Sequence, residues 1–384
     1  TIIASKSLVA SHISVAFHQN AVPVIHEIAL HNASEVDAAD IQLSIVSEPA
    51  FALPMTIRIE RIAAGSSHHV RTPNLQLDVG FLRKITEGIR GSLSITTAVG
   101  SNKIAEEILP IQLYPPSHWG GSGAAPELLA AFVRPNDPAV DAILRDAASK
   151  LSAAGKTSAI DGYKTGSRQR AWELASAIWS ALASRNIAYV LPPASFEQSG
   201  QKVRGPSDIL ERRLSTCLDS TLLFAACLEQ SSLNPLIVLT KGHAFVGLWL
   251  KNDGFSAAVI DDMQTLRKRR DLEDILFIET TLLTHTPPAR FQHAVSEGGK
   301  QVNENEINTL EFALDVKIAR ARGIRPLDLG DGSAFTPRPS IDQPGIDVGI
   351  DDAPSFVEEI AIREEADPTL DRLERWKRKL LDLT

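Results

Sequence analysis

Apolar and polar residues alternate along the first part of the chain. "SHISVAFHQ", "VIHEIALHN", "DIQLSIVSE", "MTIRIERI" and "GSLSITTAV" each carry apolar side chains at roughly every second position, the period of a strand with one buried face. Turn-formers lie between them, Asn32-Ala33-Ser34 and Ala63-Ala64-Gly65 among them. The spacing predicts an antiparallel β-sandwich over residues 1–114. "LYPPSHWGGSGAAP" then ends all periodicity with prolines and glycines and marks a domain boundary.

Beyond it the period lengthens. "PELLAAFV" reads as a short helix stopped by Pro135, and "NDPAVDAILRDAASKL" as a helix with Asp137 at its N-cap and Pro138 at its first position. "SRQRAWELASAIWSALASRN" puts Trp172, Ala175 and Trp179 on one stripe, which marks the tryptophans as core. "IAYVL", "PLIVLT", "HAFVGLWL" and "LFIETTLL" read as strands, "MQTLRKRRDLEDI" as a charged helix, and "LEFALDVKIARAR" as a further regular segment. The expected organisation is α+β: an immunoglobulin-like β-sandwich, then an α+β domain over 115–327. Residues 328–368, rich in Pro, Gly and Asp, read as a linker, poorly ordered or lying along the surface. Residues 369–384 are amphipathic and helical with no stop signal, and the chain starts without Met. Both features read as a trimmed fragment of a longer protein.

Composition narrows the class. With 43% hydrophobic and 22% charged residues the chain reads as a soluble globular protein. No apolar run reaches the roughly 18 residues of a membrane span, and the start lacks the basic-then-apolar pattern of a secretory signal. Two cysteines do not make a disulfide framework, so a reducing cytoplasm is expected. The net charge of −8 speaks against wholesale coating of nucleic acid. The residues ask for no cofactor, and His68-His69 and the other histidines of the first part show no metal-ligand spacing.

The two cysteines share one predicted helix in "RRLSTCLDSTLLFAACLEQ". Thr216 can cap that helix and leave Cys217 in its first turn, where unpaired N–H groups and the helix dipole favour a thiolate. Cys227 lies in "LLFAACL", where burial favours the neutral thiol. Only Cys217 is a candidate nucleophile. A thiol nucleophile needs a base within hydrogen-bond reach, and His243 opens the strand in "KGHAFVGLWL". A third group must fix the imidazole, usually a carboxylate. Glu279 in "LFIETTLL" or Asp261 and Asp262 in "AAVIDDMQ" can supply it.

"DILERRLSTCLDSTLLFAACLEQSSLNPLIVL" followed by "GHAFVGLWL" resembles the core of the transglutaminase-like superfamily of papain-fold cysteine enzymes, over about residues 205–285. The resemblance implies Cys217 as nucleophile, His243 as general base, and an acid on the neighbouring strand in the form Asp-x-Thr. Glu279-Thr280-Thr281 matches that form with Glu for Asp, and Asp261 stands at the more usual distance from the histidine. Ser215 replaces the family's usual glycine. The Cys217 N–H and the Gln201 side chain are the expected oxyanion donors. Acyl transfer from a protein or peptide substrate, with proteolysis foremost, is the implied activity.

A second resemblance rests on "WGG", "FVRPNDPAV", "GQKVRGP", "TCLD", "GHAF", "ETTLLT", "ARARGIRPL" and "RWKRKLLDLT". It is to the front end of very large bacterial superfamily-one helicases that end in a Vsr-like endonuclease domain. It implies a cytoplasmic module acting near DNA or RNA through those helicase and nuclease domains, in phage defence, with residues 369–384 as the start of the helicase region. No Walker motif occurs, so ATP hydrolysis is not expected of this stretch. "LRKRRDLED" and "KIARARGIRP" could touch phosphates but read first as solvated, charge-balanced faces. A catalytically silent scaffold for the helicase, or a nucleic-acid-binding front end, are the competing expectations.

Overall fold

The structure, a computed structural model, describes residues 3–123, 125–192, 200–303, 309–328 and 346–356. It is a mixed α+β molecule. In chain order the first part runs β1 (Ile3–Val9), β2 (His12–Ile13), α1 (Val15–Gln19), β3 (Ile25–Asn32), β4 (Ala38–Glu48), β5 (Met55–Ile62), β6 (Ser67–Arg71), α2 (Val79–Lys84), β7 (Ile89–Val99) and β8 (Asn102–Leu113). These strands form one sheet in the order β2-β8-β7-β4-β5 and another in the order β1-β3-β6. Alternation does what it predicts in β4, where Ile41, Leu43 and Ile45 are fully buried and the residues between them face outward. It misleads in "SHISVAFHQ". Only His12–Ile13 is strand there, and Val15–Gln19 is helix. Val15, Ala16 and Phe17 are buried in succession, which a one-faced strand cannot arrange. β1, β6 and β8 are strands that the periodicity did not single out.

The second part adds β9 (His118–Trp119), a 3-10 helix over Pro126–Phe132, α3 (Pro138–Ala153), α4 (Arg168–Ala183), β10 (Ala188–Tyr189), β11 (Gln201–Lys202), α5 (Pro206–Arg212), β12 (Leu214–Ser215) and α6 (Cys217–Gln230). Then come β13 (Pro235–Thr240), β14 (His243–Trp249), β15 (Val259–Ile260), α7 (Met263–Asp271), β16 (Ile275–Ile278), α8 (Phe291–Lys300), β17 (Leu310–Asp315) and α9 (Val316–Ala321). Asp137 caps α3 by accepting from the Ala139 N–H at 3.0 Å, with Pro138 first in the helix. Trp172 and Trp179 are buried and donate their indole N–H groups to the Asp351 and Ala289 carbonyls. "IAYVL" keeps only Ala188–Tyr189 as strand.

The central sheet of this part is antiparallel throughout, in the order β15-β17-β13-β14-β16. It is covered on both faces. Ile237, Leu239, Val246, Leu248, Ile278 and Leu314 join the large core with α6. Leu236, Val238, Phe245, Trp249, Phe277 and Ala313 form a second core with Met263 and Leu266 of α7. Double coverage explains why every residue of "PLIVLT" is buried. Residues 346–356, predicted as linker, lie against the helices. Asp351 is buried, its N–H bonded to the Ser176 hydroxyl and its carboxylate to the Gln292 N–H, each at 2.8 Å. The predicted helix over 369–384 lies outside the described residues. Among those described, no helix is long and apolar enough to cross a membrane.

Candidate active site

Helix α6 begins at Cys217 because a capping box closes its first turn. The Thr216 hydroxyl accepts from the Asp219 N–H, and the Asp219 carboxylate accepts from the Thr216 N–H, both at 3.0 Å. The sequence allowed Thr216 as cap, but its reciprocal partner was not picked out, although Thr-x-x-Asp ahead of an apolar run is the visible signal. Asp219 is fully buried and also takes the Arg204 backbone N–H and guanidinium, each at 2.8 Å. One carboxylate therefore ties the loop after β11 to the first turn of α6.

His243 stands where β14 leaves a two-residue turn from β13, with Thr240 as its cross-strand partner. Gly242 sits in that turn at φ +78°, the left-handed region that glycine occupies without penalty. His243 Nε2 donates to Glu279 Oε2 at 2.7 Å, and the Cys217 side chain lies close enough to act on the same ring. The hydrogen bond with Cys217, then that with Glu279, raises the His243 pKa to about 10 against the opposing effect of burial.

Glu279 is 6% exposed. β16 stops just before it because Glu279 caps the 3-10 turn Thr280–Thr284, accepting from the Thr281 N–H at 3.0 Å and the Thr281 hydroxyl at 2.5 Å. Oε2 also accepts from the Gln301 side chain, and the Glu279 N–H donates to the Ala294 carbonyl of α8. Burial works to raise this carboxyl's pKa. The His243 hydrogen bond and charge, with the Thr281 bonds, outweigh it and hold the pKa below the usual value. Between acid and helix, Thr280 is buried and bonds the Thr221 hydroxyl at 3.0 Å and the Ser220 hydroxyl at 3.4 Å. Nothing in the sequence pointed to Gln301, which reaches Glu279 only through the packing of α8.

The structure brings Cys217, His243 and Glu279 together. It separates Asp261 and Asp262 from them, correcting the alternative acid. They follow β15, and β17 and β13 lie between β15 and the histidine strand β14. Asp262 is occupied as the cap of α7, taking the Gln264 and Thr265 N–H groups and the Thr265 hydroxyl, which holds its pKa down. Gln201 lies on β11 opposite Trp119 of β9. Its amide nitrogen is buried with no hydrogen-bond partner among the described residues, an unused donor. Cys227 is fully buried, and burial pushes its thiol pKa up.

Tyr189 was missed altogether. It is 48% exposed on β10, which pairs in parallel with β12, the strand that runs into Thr216 and Cys217. Partial burial, then the charges at Cys217 and Glu279, raises its phenol pKa, which puts the ring within electrostatic reach of both. Elsewhere Arg269 and Arg270 of α7 are engaged internally. Arg168 and Arg269 both reach Asp274 at 3.1 Å, Arg270 reaches the Gly299 carbonyl at 2.9 Å, and Arg269 stands 5.7 Å over the Trp249 ring. Arg320 of the second basic stretch pairs with Glu229 at 2.8 Å. His69 bonds Glu27 at 3.0 Å, and no group of potential metal ligands occurs among the described residues. Comparison of the chain with protein-family models finds no match, and comparison with curated proteins finds none.

Proposed function

We propose that this chain carries a transglutaminase-like thiol site in a papain-like α+β domain behind an immunoglobulin-like sandwich, and that the site cleaves amides through an acyl-enzyme. One observation carries the reading. The buried Glu279 carboxylate bonds the His243 imidazole at 2.7 Å, and the helix-start Cys217 lies close enough to perturb the same ring. A histidine held by a buried carboxylate on one side and a thiol on the other is the arrangement that an activated nucleophile needs.

The chemistry runs in two halves. His243 takes the Cys217 proton as Sγ attacks the substrate carbonyl, forming the S–C bond. The oxyanion is met by the Cys217 N–H at the helix start and by the unused Gln201 amide. As the C–N bond breaks, the imidazolium gives its proton to the departing amine, leaving a thioester and neutral His243. Water then attacks, His243 takes its proton, and the thiolate leaves as the acid is released. Glu279 keeps the ring orientated and its charge compensated throughout.

The setting we propose is the front end of a bacterial superfamily-one helicase with a Vsr-like nuclease, in the cytoplasm. There the substrate is a protein or peptide, and nucleic acid is handled by the other domains. Internal bonding of Arg269 and Arg270 in α7 weighs against direct nucleic-acid binding by this part. The test is alkylation of Cys217 by chloroacetamide across pH 5–9, read by peptide mass. Fast labelling below pH 8 that His243→Ala removes supports the site. Labelling indifferent to His243→Ala removes the basis for catalysis.

A further inference from the structure

Helix α8 lies directly on the backbone of the strand that carries the acid. At Gly298 a side chain would come within 2.5 Å of the Ile278 nitrogen and the Phe277 carbonyl, so glycine is what lets the helix sit there. One turn earlier the Ala294 carbonyl accepts the Glu279 N–H at 3.0 Å. Three residues past the glycine, where α8 ends, the Gln301 amide donates to Glu279 Oε2. The same oxygen takes His243 Nε2, while Oε1 is held by the Thr281 N–H and hydroxyl. Of the two donors on Oε2, only the histidine titrates.

We propose that Gln301 is a positioning residue of the site: its amide fixes Glu279 Oε2 and so keeps the His243 ring aimed while that ring gains and loses a proton. The proposal rests on the reading of Cys217, His243 and Glu279 as a thiol site and adds what steadies the acid. A neutral imidazole binds a carboxylate more weakly than an imidazolium does. With the ring as its one partner, Oε2 would loosen at each neutral stage of the cycle and turn about the Thr281 anchor. Gln301 has no titrating proton, so its bond is the same at every stage. It also comes from an element that carries neither nucleophile nor base, and so holds the acid independently of both. The titratable groups within electrostatic reach of Glu279 are His243 on β14, Tyr189 on β10 and Glu297 on α8, with Cys217 of α6 acting on the same imidazole. Glu297 pairs with Lys300 at 2.6 Å and with His293 at 3.8 Å.

The experiment measures alkylation of Cys217 by chloroacetamide across pH 5–9 in the full chain carrying Gln301→Met or Gln301→Glu. Both substitutions keep the length of a half-buried side chain, and thermal unfolding checks that each variant folds. Methionine has no N–H to donate, and the rate should fall about ten-fold, the size expected of one hydrogen bond to a charged group. Glutamate sets a second carboxyl against Glu279. Such a pair shares a proton at low pH and repels once that proton is lost. The Gln301→Glu rate, as a ratio to that of the unaltered chain, should therefore be highest near pH 5 and fall about ten-fold by pH 9. A glutamine that only stabilises α8 would give a ratio indifferent to pH, and that result overturns the proposal. So does a Gln301→Met rate equal to that of the unaltered chain, or a His243 ring N–H resonance that Gln301→Met leaves unbroadened by NMR. If His243→Ala slows alkylation and neither Gln301 variant does, the proposal alone fails. If His243→Ala leaves the rate unchanged, the reading of the thiol site fails and takes the proposal with it.

Discussion

The first turn of α6 and its middle belong to one helix and hold the same side chain in opposite conditions. Around Cys217 stand a capping box, the buried Asp219 paired with a half-buried Arg204, the His243 ring and a carboxylate. Around Cys227 stand Phe224, Ala225, Ala226 and Leu228, all fully buried. The helix dipole is common to both, yet its partial charge acts only at the terminus, where N–H groups are left without helical partners. The surroundings of each thiol are a property of position in the helix and of what the sheet brings to that position. The identity of the residue decides little.

The comparison breaks most sharply in labelling. At pH 7 chloroacetamide should modify Cys217 on the order of a thousand-fold faster than Cys227, which must wait for the core to open. Similar rates by peptide mass would end the distinction. Next in size is Asp219→Ala, which removes a cap and strands the Arg204 charge. It should cost about 3 kcal/mol in denaturant unfolding, and a loss below about 1 kcal/mol would mean that this end of the helix is held otherwise.

The electrostatics can be read directly. The His243 imidazole should titrate near 10 by NMR and move down towards its ordinary value in Cys217→Ala, and less in Glu279→Gln. The folded pKa lies above the unfolded one, so the stability that His243 contributes is full below about 6.5 and lost as pH rises through about 10. Glu279 has the opposite sign. Its folded pKa is depressed, so its contribution is present above the unfolded value and lost as pH falls through the folded one. A His243 midpoint unmoved by either substitution refutes the coupling.

Smaller changes sharpen the contrast. Cys227→Ser places a hydroxyl in an apolar core and should cost about 2 kcal/mol, with Cys217 labelling preserved. Thr280→Val removes the bonds to Ser220 and Thr221 and should cost about 1 kcal/mol. It should also loosen the acid relative to the helix, seen as a broadened His243 resonance. A sharp, unshifted resonance would make Thr280 a structural bystander.

Much of the site was legible because its parts sit at element ends. Thr216–Cys217 starts a helix after a polar lead-in, His243 follows a turn glycine, and Glu279 follows an apolar run. These are local signals that survive in a linear reading. Choosing the acid was different. Asp261, Asp262 and Glu279 all follow short apolar stretches, and what separates them is strand order: β16 lies beside β14, while β15 is at the far edge. Strand order is a matter of long-range pairing, which local periodicity does not encode. For the same reason Tyr189, Arg204 and Gln301 went unnoticed. Each reaches the site through pairing or packing with a segment distant along the chain.

By itself, then, the sequence determined that the chain is mixed α and β, that Cys217 heads a helix, and that Cys227 is core. Those follow from hydrophobic period and capping chemistry, both properties of a few consecutive residues. The tertiary structure decided that "SHISVAFHQ" turns helical after Ile13, that residues 346–356 lie against α4 and α8, that Arg269 and Arg270 of α7 bond to internal partners, and that Glu279 holds His243. Each of these depends on which surfaces meet once the chain is packed, where burial and charge pairing outweigh the weak preferences of any single segment.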